Sequence, residues 1–210
     1  MTIPDGSVRP SRRALLAALL VGTLFGTWAA RADLGGAEQF IQDLGDRTLA
    51  VLEQPVGPQQ KLDELKLLLD QSTDLELVAR LVLGRYWRQA TPEQQAEYVQ
   101  LFKQLVMQTM AERFSWYTGE TFEITGAKPV DERDTMVATR ILRPAGKAPI
   151  QVDWRVRETG GAFLLIDILA EGVSMVVTQR AEAAEVIGQN GIDGLLAQMR
   201  DRLAQRTKPS

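Results

Sequence analysis

The chain predicts an α+β fold in which helices and an antiparallel sheet occupy successive stretches of sequence. Three observations predict it. Apolar residues recur at helical spacing from Ala37 to Tyr117, alternate with polar ones from Glu120 to Thr178, and return to helical spacing from Ala181 to Gln205. A run of helices followed by a run of strands marks layered α+β domains, whereas alternating units would build a parallel sheet. The connections "RPAGKAP" and "ETGG" are too short for crossover helices, so the strands form an antiparallel meander.

The first helix carries Ala37, Phe40, Ile41, Leu44, Thr48, Val51 and Leu52 on one face and stops before Pro55 and Gly57. Pro58 can open a second helix at its first position, with Leu62, Leu65, Leu68 and Leu69 as its apolar stripe. Thr73 or Asp74 caps a third, which ends between Gly84 and Ala90. Thr91-Pro92-Glu93-Gln94 is a strong start signal, with Thr at the N-cap, Pro at the first helical position and Gln completing a capping box. The long helix that follows presents Tyr98, Leu101, Phe102, Leu105, Val106, Met110, Phe114 and Tyr117 and ends before Gly119.

Four strands are predicted over Glu120–Gly126, Thr135–Arg143, Ile150–Glu158 and Ala162–Thr178. The third alternates most cleanly, with Ile150, Val152, Trp154 and Val156 against Gln151, Asp153, Arg155 and Arg157. The fourth is apolar on both parities and is interrupted by Glu171-Gly172. A bulge there would re-aim Val173 and Met175, and a simple kink in a curved sheet reads as well. The closing helix carries Val186, Ile187, Ile192, Leu195, Leu196, Met199 and Leu203, with a break at "QNGIDG".

A length of 210 residues suits one domain, or two small ones. Residues 1–32 read as an export signal. Arg12-Arg13 precede a 17-residue apolar run from Ala14 to Ala30, and Ala30-Arg31-Ala32 supplies a small-residue cleavage pattern after Ala32. The paired arginines and the glycine-diluted run resemble a twin-arginine leader; the bland reading is an uncleaved anchor, for which the run is short. Cleavage leaves 33–210 as the mature domain. Of 24 basic and 27 acidic side chains, four and one fall before Asp33, so the mature part holds 20 and 26, a formal charge of −6. That is no field for nucleic acid.

Cysteine and histidine are both missing from the sequence. Disulfides, thiolate nucleophiles, imidazole bases and histidine-based metal sites are therefore excluded. For acid–base work the sequence offers Asp153 and Asp167, two acids inside apolar strands that could divide the roles of a glycosidase pair. The structural alternative, which outweighs it, is a buried polar network with Arg140 or Arg155, since an unpaired buried charge is costly. The pairs Arg155/Arg157 and Arg85/Arg88 either meet a phosphate or solvate a surface, solvation being the simpler reading. The aromatic stretch around Tyr86 and Trp87, with Phe102, Phe114, Trp116 and Tyr117, is ordinary core by spacing. Yet the helices and strands offer more apolar surface than one sheet face can cover, and the excess must form an oligomer interface or line a hollow.

Four stretches in order resemble one family. They are Leu83–Glu120 ("LGRYWRQATPEQQAEYVQLFKQLVMQTMAERFSWYTGE"), "PIQVDWRVRE", "IDILAEGVSMVVTQR" and "GIDGLLAQM". The pattern is similar to the MlaC, or toluene-tolerance, family of periplasmic lipid-carrying proteins, with matching motifs at Leu83–Trp87, Thr91–Gln94, Tyr117–Glu120, Val152–Arg155, Asp167–Met175 and Gly191–Leu195.

The resemblance implies a curved four-stranded sheet of cystatin or nuclear-transport-factor type packed against helices, with an apolar cavity between the layers. It implies a phospholipid ligand whose two acyl chains fill that cavity while the headgroup stays near solvent; a hopanoid is the alternative lipid. It also implies a periplasmic shuttle that keeps the outer membrane asymmetric, working with an inner-membrane ABC transporter bearing an MCE-domain ring and with an outer-membrane lipoprotein complex. No catalytic residue, cofactor or metal is expected. Periodicity and family position together put Leu81, Leu83, Tyr86, Trp87, Phe102, Leu105, Tyr117, Trp154, Ile168, Val173 and Met175 on the cavity wall. The rival functions are a dimerising or protein-binding module of the same fold and a hydrolase using Asp153 and Asp167.

Overall fold

The computed structural model describes residues 33–206; the predicted export signal and its cleavage point lie outside them. The elements run α1 (Leu34–Glu53), α2 (Pro58–Ser72), α3 (Leu75–Leu83), a 3₁₀ turn (Gly84–Arg88), α4 (Pro92–Phe114), β1 (Thr121–Pro129), β2 (Asp134–Leu142), β3 (Ile150–Thr159), β4 (Ala162–Ala170), β5 (Val173–Ser174) and α5 (Met175–Arg206). The sheet is an antiparallel meander in the order β1-β2-β3-β4-β5. Register shifts between Ile124 and Gly126 on β1, and opposite Arg155/Val156 on β4, bend it.

Local chemistry sets most boundaries. Asp33 caps α1 by accepting from the Gly36 amide at 3.0 Å, and Asp74 caps α3 by accepting from Leu77 at 2.9 Å. The capping box at Thr91 is complete: Gln94 N–H donates to Thr91 Oγ1 at 3.2 Å, and Thr91 N–H to Gln94 Oε1 at 3.0 Å. α5 bends at Gly191, whose φ of 70° leaves the helical region, within the predicted break.

One prediction fails at its end. The predicted strand Ala162–Thr178 stops at Ala170, and the sheet has five strands. Glu171 and Gly172 form a two-residue turn with φ of 49° and 78°, closing Ala170 against Val173. Positive φ at both central residues is what a tight hairpin between twisted strands needs. The predicted bulge is thus a turn. Glu171 tolerates its conformation because its N–H donates to Gln151 O at 3.0 Å while its carboxylate accepts from Gln151 N–H at 2.8 Å. Two residues later Ser174 accepts from the Val177 amide at 3.0 Å, an N-cap that starts α5 at Met175, six residues before the predicted Ala181. Val176, Val177 and Thr178 favour strands by propensity, and the cap overrides them.

Three apolar clusters hold the layers together. α1 lies on one face of the sheet, with Ala37 and Ile41 against Val137 and Val156, and Phe40 beside Phe163. The approach is close. A Cβ on Gly36 would stand 2.7 Å from the Phe163 ring, and one on Gly45 would overlap Phe122. A second cluster joins α3, α4 and α5 around Leu83, Tyr98, Leu196 and Met199. A third joins α1 and α2 through Val51, Leu52, Leu65 and Leu68, against Met110 and Phe114 of α4.

The opposite sheet face carries Asp153, Arg155 and Arg157 of β3, beside Met136 of β2 and Leu164 and Leu169 of β4, so β3 alternates cleanly and β4 does not. This face also buries one charge. Asp134 is fully buried beneath Arg155 and Arg157, taking Arg157 Nε at 2.6 Å and Arg155 Nε at 2.8 Å. Arg155/Arg157 therefore neither solvate a bare surface nor await a phosphate; they neutralise a carboxylate.

Candidate functional site

α2 has two faces. Leu65 and Leu68 turn to α1, while Gln59, Leu62, Asp63, Lys66 and Asp70 recur at helical spacing on a second stripe. α4 is divided likewise. Tyr98 and Leu101 enter the α3–α5 cluster, and Lys103, Gln104, Met107, Gln108 and Ala111 look back toward α2. The two helices meet around Leu65 and Phe114. From there toward Asp70 and Lys103 a cleft of about 920 Å³ separates them, at the upper end of what small-molecule sites occupy. Thr73, Asp74, Leu75 and Glu76 at the α2–α3 corner and Leu203 of α5 complete it.

A second hollow of about 200 Å³ shares Gln59, Leu62 and Ala111 with the cleft and continues it to Leu52, Pro58, Leu65 and Phe114. Residue numbers rise along α2 as they fall along α4, so the helices run antiparallel across the gap. The joined space is graded. Its Leu52–Leu65–Phe114 end is apolar, and its Asp70–Lys103 end is charged. Lys61 is the one charged residue lining the apolar end, its ammonium donating to the Leu52 carbonyl at the end of α1.

Such a space suits an amphiphile. Leu62, Leu75, Met107, Ala111 and Leu203 give apolar contact along its length, and Lys66 and Lys103 stand as cations on facing helices. Among the described residues no three Asp or Glu side chains converge as a metal cluster, and no helix is long and apolar enough to cross a membrane.

None of the eleven residues expected on the wall lines either hollow. Leu83 is core, 1 % exposed, and Tyr86, Trp87, Phe102 and Leu105 pack around the same α3–α4–α5 cluster. Leu81 is half-buried, and its carbonyl accepts from Arg180 Nε at 2.8 Å. Trp154 belongs to the α1–sheet cluster and donates its indole N–H to Thr139 Oγ1 at 2.9 Å; Ile168 is its register partner on β4. Val173 and Met175 face solvent, 54 % and 38 % exposed. Tyr117 stands nearest the hollow, packed on the Leu52–Leu65 cluster beside Phe114. Burial and the Glu53 carboxylate, to which its hydroxyl donates at 3.2 Å, raise the Tyr117 phenol above its ordinary pKa. The cleft is not marked in the sequence, because charge interrupts its stripes and Asp63, Lys66, Asp70 and Lys103 read as a solvated helix face.

The two candidate acids are not a pair at this site. Asp167 accepts from the Ile168 and Val176 amides at 2.8 and 3.0 Å and from the Ser174 hydroxyl at 2.5 Å, binding β4 to the start of α5. Asp153 accepts from Gln151 Nε2 at 3.2 Å on the sheet face opposite α1. Neither joins the predicted network with Arg140 or Arg155: Arg140 pairs with Glu123, and Arg155 with Asp134 and Asp131.

Comparison with known proteins finds one family throughout. The profile described as "MlaC protein" matches residues 42–201. The intermembrane phospholipid transport system binding protein MlaC of Haemophilus influenzae is 25 % identical over 135 residues, 63 % of each chain, so the match spans somewhat under two thirds of that relative. The toluene tolerance protein ttg2D of Pseudomonas putida is 23 % identical over 151 residues, 71 % of this chain and 70 % of the other. Among solved structures, a phospholipid-binding protein of Ralstonia solanacearum, determined in complex with a phospholipid, superposes with a TM-score of 0.71 at 26 % identity, over 82 % of this chain and 99 % of the other.

Proposed function

Because the chain belongs to the MlaC family, we propose that it is a phospholipid carrier whose α2–α4 cleft receives the lipid. The supporting observation is the gradient of that cleft, from the apolar Leu52–Leu65–Phe114 end to the charged Asp70–Lys103 end. Acyl chains start in the first and run on along Leu62, Met107 and Ala111 of the larger cleft, and the headgroup stays at the second, beside solvent.

The physical requirement is modest. Each methylene removed from water contributes about 0.8 kcal/mol, so two chains of about 16 carbons hold a lipid in its bilayer by about 20–25 kcal/mol. A carrier need only match that environment with an apolar lining, and release follows from docking at either membrane. Nothing in this task requires a nucleophile, a metal or a nucleotide. The chain then works as a carrier and not as an enzyme.

Family resemblance supports the surrounding scheme. Residues 1–32 act as an export signal cleaved after Ala32, 33–210 fold as one domain in the periplasm, and the partners are an inner-membrane ABC transporter with an MCE-domain ring and an outer-membrane lipoprotein complex. The task of the shuttle is to maintain outer-membrane lipid asymmetry.

Organic extraction and mass spectrometry of the purified protein test the reading. Stoichiometric phospholipid is the expected result. A lipid-free preparation that also takes up none from vesicles would overturn it.

A further inference from the structure

Exposed apolar side chains crowd one corner of the fold. Val173, Met175 and Val177 are 54, 38 and 59 % exposed and fall within five residues, where β5 passes into α5. Val176 among them is buried, so this stretch is anchored to the core and its neighbours cannot turn inward. Single apolar residues on a surface need no explanation, but a cluster marks a contact site.

Cations gather beside it. Arg180 follows Val177 by three positions, on the same flank of α5. It reaches α3, donating from Nε to Leu81 O at 2.8 Å, and lies along Gly84, where an added Cβ would stand 3.4 Å from its Cδ. Gly84 opens the 3₁₀ turn. Arg85 and Arg88 of that turn are three residues apart, so both side chains leave on one side, and both are exposed. The Arg80 guanidinium covers the Trp87 ring at 5.0 Å, and that of Arg85 covers Tyr86 at 4.9 Å. Of these four arginines only Arg80 has an ion pair with a described residue, Glu76. Glu182, the next acid of α5, lies about 140° round the helix from Val177 and accepts from Gln179. The corner is thus cationic on a chain of net charge −3.

We propose that the 3₁₀ turn and the β5–α5 corner form a docking surface for a protein that presents carboxylates around an apolar spot. Protein interfaces enclose an apolar centre in a polar rim, and arginine, tyrosine and tryptophan carry much of their binding energy. Guanidinium forks hold carboxylates bidentately, and stacking on Tyr86 and Trp87 has already restricted two of them, so docking costs less entropy. A second copy is a poor occupant. A two-fold contact would set these arginines against themselves, and the acids bordering β5, Asp167 and Glu171, are held by Ser174 and Gln151. An anionic bilayer is also a poor one, because guanidinium groups cover the rings that would enter it and the whole chain is acidic. None of these residues lines the α2–α4 cleft, so docking here and lipid binding there are separable.

Photo-crosslinking tests this in the full chain, expressed in its own host with p-benzoylphenylalanine at Val177, and at the similarly exposed Leu67 as control. The expected adduct forms at Val177 alone, to another protein, through a segment rich in Asp and Glu that mass spectrometry identifies. Arg88→Glu and Arg85→Glu should each reduce it about tenfold, the worth of one charge-assisted hydrogen bond, with the melting temperature preserved. Reversing a carboxylate of the crosslinked segment to arginine should restore the adduct in the Arg88→Glu background. The docking surface is overturned by no adduct, by an equal one at Leu67, or by one to a second copy, to phospholipid or to a segment without carboxylates. An adduct that survives both reversals overturns it too. Lipid extracted from the same preparations reports on the carrier reading separately.

Discussion

Arg157 donates from Nε to Asp134 Oδ1 at 2.6 Å, and the aspartate that receives it has no exposed surface. The pair sits on the face of the sheet away from the helices, where β2 and β3 align Asp134 opposite Arg157. Burial by itself would raise the Asp134 carboxyl. The hydrogen bonds and charges of Arg157 and Arg155 outweigh it and hold the group below the ordinary carboxylate range.

Stability should therefore depend on Asp134 in one direction. A carboxyl whose pKa is lower folded than unfolded stabilises the protein above its unfolded value of about 3.9, and that stabilisation fades as pH falls toward the folded value. Asp134→Asn leaves two guanidinium groups short of a charge and should cost about 3–5 kcal/mol at pH 7. Urea unfolding at pH 7 and pH 3 measures both effects: the gap between wild type and variant should narrow at the lower pH. An equal gap at both would show that the carboxylate charge is not what matters.

The β4–α5 junction makes a second expectation. Asp167 joins Ser174 and the Val176 amide, and Ser174 caps α5 through Val177. Asp167→Asn or Ser174→Ala should lower stability by about 1–2 kcal/mol, the worth of a helix cap. Amide exchange should accelerate in the first turn of α5 and stay unchanged in β1 and β2. Lipid content should be unaffected, since neither residue lines the cleft.

Helix α1 rests on the sheet through glycine. Gly45→Val puts a side chain where the Phe122 ring lies and should cost about 1–3 kcal/mol by overpacking. Gly57→Ala, where an added Cβ would meet nothing within 4 Å, is the control and should be nearly neutral in thermal melts.

The cleft itself can be filled. Leu62→Trp and Met107→Trp place an indole in the space between α2 and α4 and should reduce extracted lipid to less than about half, with the melting temperature preserved. Val173→Trp and Met175→Trp, at exposed positions beside β5, should leave lipid content unchanged. The reverse pattern would move the lipid site from the α2–α4 cleft to the sheet edge.

Much of this architecture was legible in the linear sequence because its signals are local. Thr91-Pro92-Glu93-Gln94 predicts the start of α4, and the capping box forms as written. The motifs that carry the family resemblance turn out to be joints. Gln94 of the first reaches Asp193 of the last at 2.7 Å, and Arg155 of "VDWR" secures Asp134. The end of β4 was misread because Val173, Val176 and Val177 match a strand by propensity. The turn at Glu171-Gly172 and the Ser174 cap depend on contacts with Gln151 and Asp167 made across the sheet.

The amino-acid order alone determined the class of fold, the four long antiparallel strands, the helical starts and the exclusion of thiol and imidazole chemistry, since each follows from neighbours within a few turns or from composition. Only the tertiary structure decided which apolar stripes close on one another and which stay apart. Phe102 and Leu105 are consumed by core packing, while the more polar stripes of α2 and α4 bound the open cleft. Helix faces are equivalent until packing chooses among them, and that choice depends on contacts far apart in sequence.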